Sequence, residues 1–179
     1  MKISEIFYSV QGEGLLSGVP SVFIRSSGCN LRCVWCDTPY TSWRPEGVSM
    51  SIAEILAAMD QLLAGAPCRH VVLTGGEPML LPATVALTEA LKLRGLHITV
   101  ETAGTVDQPV HCDLLSLSPK LANSTPREDA YWGRRHEELR WQPRVVESLI
   151  SRYDYQFKFV VATADDLSEI ETMLGELTV

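Results

Sequence analysis

The run His70-Val71-Val72-Leu73-Thr74 passes without a break into Gly75-Gly76-Glu77-Pro78. A short, β-branched apolar run bounded by glycine and proline predicts a buried strand that ends in a strand-to-helix turn. The same punctuation recurs along the chain. Ser21-Val22-Phe23-Ile24-Arg25 reads as a strand that delivers a cysteine-rich loop, and His97 to Thr102 as a strand followed by Gly104. Asp113 to Leu117 is another, ending at Ser118-Pro119-Lys120, and a last strand is expected from Tyr155 to Val161.

Helical stretches lie between these strands. Ser51-Ile52-Ala53-Glu54 is a capping-box start, after which Ile52, Ile55, Leu56, Met59 and Leu63 fall on one helical face. Pro82 is placed to open a second helix through Leu93, with Gly95 as its stop. Further helices are expected from about Gln142 to Arg152 and from Asp165 or Asp166 to near Gly175. The polar, Arg-rich stretch from Leu121 to Trp141 reads as a long loop. This alternation predicts an α/β fold of about five mainly parallel strands. Polar residues and glycines collect where the strands end, and in such folds ligands bind at that edge. A partial (β/α) barrel and an open doubly wound sheet both satisfy the pattern.

At 179 residues the chain is most simply one domain with a continuous core. Its 46% hydrophobic and 21% charged content is that of a folded protein. A net charge of −7 and a pI of about 5.1 argue against non-specific nucleic-acid binding. No apolar run approaches the ~20 residues that span a bilayer, and Met1-Lys2-Ile3-Ser4-Glu5 does not read as a signal peptide. The expectation is a cytoplasmic protein with no membrane or nucleic-acid partner.

Cys29, Cys33 and Cys36 stand in a Cys-x3-Cys-x2-Cys frame. A closed four-iron cluster takes four cysteines. Three thiolates suit a cluster with one iron left open to a small molecule, much as a catalytic metal keeps an open position. The other two cysteines, Cys68 and Cys112, are scattered, and an odd count of five disfavours a disulfide framework. The alternative is a closed zinc site completed by Cys68 or a histidine, although zinc motifs usually come as two paired half-sites and no second pair exists. His70, His97, His111 and His136 are not spaced as a metal set and read as structural or exposed.

Other constellations each carry two readings. Gly75 and Gly76 could let the backbone approach a ligand, with Glu77 accepting hydrogen bonds from an ammonium group, or could form an ordinary turn. Arg25 ends an apolar strand, where a guanidinium needs a carboxylate from a ligand or from an internal salt bridge. Lys120 and Lys158 pose the same question. Asp37-Thr38 could hold magnesium through oxygen or form a turn. Trp35 packs, or stacks on a base. Gln11-Gly12-Glu13-Gly14 alone reads as a flexible entry loop.

Taken together, the Cys29-x3-Cys33-x-Trp35-Cys36 frame and Gly75-Gly76-Glu77-Pro78 resemble the signature pair of the radical S-adenosylmethionine (SAM) superfamily. More narrowly the chain resembles the 7-carboxy-7-deazaguanine synthases of queuosine and deazapurine biosynthesis. The likeness rests on Gln11 to Gly14, Phe23-Ile24-Arg25, Cys36-Asp37-Thr38, Thr74 to Pro78, Glu101-Thr102-Ala103-Gly104-Thr105 and Ser118-Pro119-Lys120, with Phe157-Lys158-Phe159 also fitting. The resemblance implies a single radical SAM domain over residues 1–179, folded as a partial (β/α) barrel. It would be reduced in size and lack the family's usual C-terminal part, since relatives continue well past position 179.

It further implies a 4Fe–4S cluster on Cys29, Cys33 and Cys36, with no catalytic side chain because the radical is borne by the cofactor. SAM would be held around Trp35, Cys36, Asp37, Gly76, Glu77, Ser118, Pro119, Lys120 and Lys158, and Mg2+ by Thr38. Val10, Gln11, Gly12, Glu13, Arg25 and Thr74 would line the pocket for 6-carboxy-5,6,7,8-tetrahydropterin, with Arg25 meeting its carboxylate. A flavodoxin or ferredoxin would supply the electron. Hydrogen abstraction at carbon 6, ring contraction and loss of ammonia would follow, and a homodimer would cover the pocket mouth. Two alternatives remain at this point: an activating enzyme that makes a glycyl radical on a partner protein, and a non-catalytic iron–sulfur or zinc module.

Overall fold

A computed structural model describes residues 1–64 and 67–178; Val179, the end of the expected domain, lies outside them. The expected parallel strands form as β2 (Pro20–Ser26), β4 (His70–Gly75), β5 (His97–Thr102), β6 (Leu114–Leu117) and β7 (Tyr155–Phe157). Two strands that the sequence did not announce, β1 (Lys2–Val10) and β3 (Val48–Ser49), extend the sheet. β1 pairs antiparallel with both β2 and β3, giving a seven-stranded sheet in the order β3-β1-β2-β4-β5-β6-β7. β1 escapes a pattern reading because only Ile3 along it is fully buried.

From β2 onward each strand is added parallel on the same side of its predecessor. Right-handed crossovers repeated in one direction place the helices on one face. Helices α1 (Ile52–Leu62), α2 (Ala83–Leu93) and α4 (Pro143–Ile150) accordingly share one core with the strands. Ile55 and Met59, Leu87 and Leu91, Val146 and Leu149 meet Val22, Ile24, Val71, Leu73, Ile98 and Val100 there. A doubly wound sheet would need the strand order to reverse, and it does not. The sheet is an open, partial (β/α) barrel.

Strand alternation then fixes the concave face. Side chains one position off the core set, among them Arg25, Thr74 and Glu101, turn to the opposite side and line a cavity.

The helix starts follow local chemistry. Ser51 and Glu54 form the reciprocal capping box, and Gly95 takes φ +71° just past α2. The stretch 121–141 is not the expected long loop. It holds a 3-10 turn at Ala122–Ser124 and helix α3 (Ala130–Leu139), started by Asp129, whose carboxylate accepts from the Tyr131 and Trp132 N–H groups. Only His136 of α3 is fully buried, so the helix shows no apolar periodicity. α5 (Asp166–Gly175) closes the described fold. Among the described residues no helix is long and apolar enough to cross a membrane.

Candidate active site

The C-terminal ends of β2, β4 and β5 open into a cavity of about 580 Å3, in the size range of small-molecule sites. Cys29, Cys33 and Cys36 all reach it. Their loop is seated by Gly75-Gly76. Gly76 N–H donates to Ser26 O at 3.1 Å, and Glu77 N–H to Gly28 O at 2.8 Å. A Cβ on Gly76 would lie 2.2 Å from Gly28 O, and one on Gly75, at φ +127°, would lie 2.1 Å from Ser26 O. The glycines are therefore required for strand end β4 to touch strand end β2, quite apart from any ligand.

Of the two readings of Glu77, ammonium acceptor or part of a turn, the geometry favours the second: Glu77 is wholly buried and is not among the residues that line the cavity. Its Oε1 accepts from Met79 N–H at 3.0 Å and the Thr102 hydroxyl at 2.8 Å, and its Oε2 from Ala103 N–H at 2.8 Å. Burial raises its pKa, against the pull of these donors. Glu77 thus ties the turn after β4 to the end of β5. Pro119 is likewise buried behind the wall, while its neighbours Ser118 and Lys120 face the cavity.

The three cysteines share one cavity. Leu31 N–H donates to Cys29 Sγ at 3.4 Å, and the Ser42 hydroxyl lies 3.3 Å from Cys36 Sγ. Burial pushes the Cys29 thiol up to about 12 and Cys33 to about 11, so these protons leave when metal charge arrives. Arg32 is the cation beside Cys29, and Lys120 the one beside Cys33. The Lys120 Nζ sits 5.7 Å from the Trp35 ring centroid and donates to Ser118 Oγ at 2.7 Å, and burial lowers its pKa.

Trp35, Asp37, Thr38 and Gly76 also line the cavity. Trp35 is anchored by its indole N–H on Asn123 Oδ1 at 3.1 Å, and the buried Thr38 hydroxyl lies 3.3 Å from Asp37 Oδ1.

A second group of polar residues lines the same space. Arg25 pairs with Glu5 through Nε at 2.6 Å and lies 5.6 Å from the Phe7 ring centroid. The internal salt bridge expected as an alternative is real, but it engages Nε alone and the residue still lines the cavity. Beside it, the Thr74 hydroxyl donates to Glu101 Oε2 at 2.6 Å. Lys158 donates to Glu101 Oε1 at 3.0 Å and to Glu13 Oε2 at 2.9 Å, and its two carboxylate partners raise its pKa against its burial. Val10 ends β1, and Gln11, Gly12 and Glu13 follow it in the β1–β2 connection, with Gln11 buried and bonded to Ser21 Oγ at 3.0 Å.

Lys158, expected beside SAM, is thus tied to the Thr74–Glu101 side of the site. Glu101 was not singled out as a site residue, although an acid two positions after Thr99 in a buried strand was its signal. Ser42, near Cys36, had none.

Residues 23–121 match the Radical SAM superfamily. The chain is 49% identical over 180 aligned residues to the 7-carboxy-7-deazaguanine synthase of Rhodopirellula baltica, covering 99% of this chain and 68% of that protein. It is 46% identical to the enzyme of that name from Halobacterium salinarum, over 99% of this chain and 70% of the other. Its structure superposes on a crystal structure of QueE from Escherichia coli with a TM-score of 0.75 and 29% identity, over 99% of this chain and 78% of that one.

Proposed function

This chain belongs to the radical SAM superfamily and, within it, to the 7-carboxy-7-deazaguanine synthases, and from that membership we propose what its cavity does. The reaction is the conversion of 6-carboxy-5,6,7,8-tetrahydropterin to 7-carboxy-7-deazaguanine with loss of ammonia, a lyase step of queuosine biosynthesis. The carrying observation is that Arg25 and three unpaired thiols open into one cavity. When bound, the 4Fe–4S cluster and SAM supply a carbon radical able to remove a hydrogen atom from the pterin.

The protein's part is binding and exclusion. Cys29, Cys33 and Cys36 hold the cluster by thiolate. Trp35, Asp37, Gly76, Ser118 and Lys120 form the wall beside it and would hold SAM. The Arg25 Nη groups offer a two-pronged seat for the pterin carboxylate, with Glu5 holding the guanidinium in place through Nε. Thr74, Gln11 and Gly12 present polar groups to the heterocycle, and Val10 and Glu13 border its mouth. Holding two reactants at fixed distance and keeping water out is the whole of the catalytic task left to the side chains.

Thr38 is assigned the magnesium ion, because its hydroxyl faces the cavity beside Asp37. We read residues 1–179 as one radical SAM domain, reduced by a flavodoxin or ferredoxin, working as a homodimer in the cytoplasm. The glycyl-radical activase reading is not favoured, since a cavity bearing Arg25, Thr74 and Gln11 suits a small polar ring.

The test is anaerobic reconstitution, then assay of 5′-deoxyadenosine and 7-carboxy-7-deazaguanine for wild type and Arg25→Ala. Loss of a charge-assisted pair costs about 2–5 kcal/mol, so pterin turnover should fall about 30-fold or more while slow SAM cleavage persists. Equal damage to both activities would remove Arg25 from the pterin site. Absence of 5′-deoxyadenosine from a protein with a full cluster would sink the enzyme reading.

A further inference from the structure

α3, the helix hidden in the supposed loop, reaches back to the cysteine loop. Arg32, between Cys29 and Cys33, donates its backbone N–H to His136 Nδ1 at 3.0 Å. With Nδ1 accepting, the ring proton must sit on Nε2. Nε2 lies 2.8 Å from Ser124 Oγ, whose own hydroxyl donates to Leu121 O at 2.6 Å. The Ser124 carbonyl in turn accepts from Val34 N–H at 2.9 Å.

The result is a directed chain from Arg32 N–H through His136 and Ser124 to Leu121 O, with each donor matched to one acceptor. His136 is wholly buried. Burial pushes its pKa down to about 4, which keeps the ring neutral. Trp132, one turn earlier on the same helix face, stacks under the Arg32 guanidinium at 4.1 Å. That guanidinium also wraps its own loop through the Cys29 and Leu31 carbonyls, both at 2.7 Å.

We propose that His136 is a positioning residue for the metal loop: as a neutral Nε2–H imidazole it accepts the Arg32 amide and so fixes the backbone between Cys29 and Cys33 in the form that presents both sulfurs to one cluster. The inference rests on reading Cys29, Cys33 and Cys36 as cluster ligands. It assigns no contact with cofactor or substrate to His136. The Cys-x3-Cys spacer is the widest gap in the frame, and a free amide at Arg32, directly before Cys33, would let the two ends move independently. A buried acceptor from a separate helix removes that freedom before metal arrives, which is preorganisation of a binding site by its supporting groups.

Two near-isosteric variants separate this role from simple packing. His136→Asn places an amide oxygen near the Nδ1 position and keeps an acceptor for Arg32. His136→Gln reaches Ser124 but offers Arg32 nothing. The measurements are hydrogen exchange at the Arg32 amide in the iron-free protein, and the rate of iron loss to a chelator from the reconstituted protein under anaerobic conditions. Thermal unfolding is recorded alongside. The expected result is exchange and iron loss about tenfold faster in His136→Gln, with His136→Asn near wild type.

Equal effects in both variants, in proportion to lost thermal stability, would reduce His136 to a packing residue and overturn the proposal. So would a Gln variant that protects the Arg32 amide and holds iron as wild type does. Wild-type protein that takes up no iron, with the Arg32 amide still protected, would refute instead the cluster reading beneath it.

Discussion

Glu77→Gln separates a wall residue from a ligand-binding one. In the wild type three donors converge on the carboxylate: Met79 N–H and the Thr102 hydroxyl on Oε1, Ala103 N–H on Oε2. Glutamine has the same shape but one acceptor oxygen. Placed at Oε1, that oxygen keeps two bonds in weaker, neutral form. The amide NH2 then faces Ala103 N–H, donor against donor, in a site with no solvent access. A buried unsatisfied donor costs about 1–3 kcal/mol, and each bond to a charged acceptor is worth about 1.5–3 kcal/mol against about 1 for a neutral one.

Relief of the buried charge, whose desolvation raises the Glu77 pKa, returns part of this. The balance is a destabilisation of about 2–4 kcal/mol, or roughly 5–15 °C in Tm for a chain of this size. Urea unfolding under anaerobic conditions measures the first figure and a thermal scan the second. At low temperature the folded variant should bind SAM with nearly unchanged affinity, because Glu77 does not face the cavity. Unchanged stability together with collapsed SAM affinity would refute the reasoning and return Glu77 to the ligand.

Other predictions address the metal loop, its seat and its support. Cys29→Ala, Cys33→Ala and Cys36→Ala should each abolish cluster assembly by iron content and visible absorbance, while Cys68→Ala and Cys112→Ala assemble normally; Cys112, pushed up to about 12 by burial, is an inert thiol. Gly76→Ala drives a Cβ to 2.2 Å from Gly28 O and should yield unfolded or iron-free protein. Gly12→Ala, with nothing within 4 Å of the new methyl, should stay within about 0.5 kcal/mol of wild type by urea unfolding.

His136 makes stability pH-dependent. Its pKa is about 4 folded against about 6.5 unfolded, so the unfolded chain takes the proton first, and the contribution present above pH 6.5 is lost as pH falls to 4. The loss, up to about 3 kcal/mol, should be missing from His136→Asn, a comparison in which the carboxylates common to both cancel.

Local chemistry wrote much of this molecule into its sequence. The apolar runs from Ser21, His70, His97 and Asp113 became parallel strands because most of their residues are buried, and such strands read as near-continuous apolar runs. The Ser51–Glu54 capping box started α1 where expected because it is complete within four residues. The Cys-x3-Cys-x2-Cys frame is equally local, and the fold brings its three thiols to one cavity. Tertiary structure decided what depends on partners remote in sequence. A partial barrel and a doubly wound sheet share one pattern of elements and differ only in the direction of each crossover, which strand pairing alone reveals.

Glu77 carried a motif that pointed to a ligand, yet Thr102 and Ala103, 25 and 26 residues away, claimed its oxygens. Arg25 found Glu5 on a strand that pattern reading had missed, because β1 hides too little of itself to alternate. α3 looked like a loop because its one buried side chain is a histidine. Only the fold shows that this histidine's acceptor is spent on Arg32, 104 residues before it, where the cysteines are held. A carboxylate or an imidazole can satisfy its hydrogen bonds in many ways, and the fold chooses among them by what it brings within three ångströms.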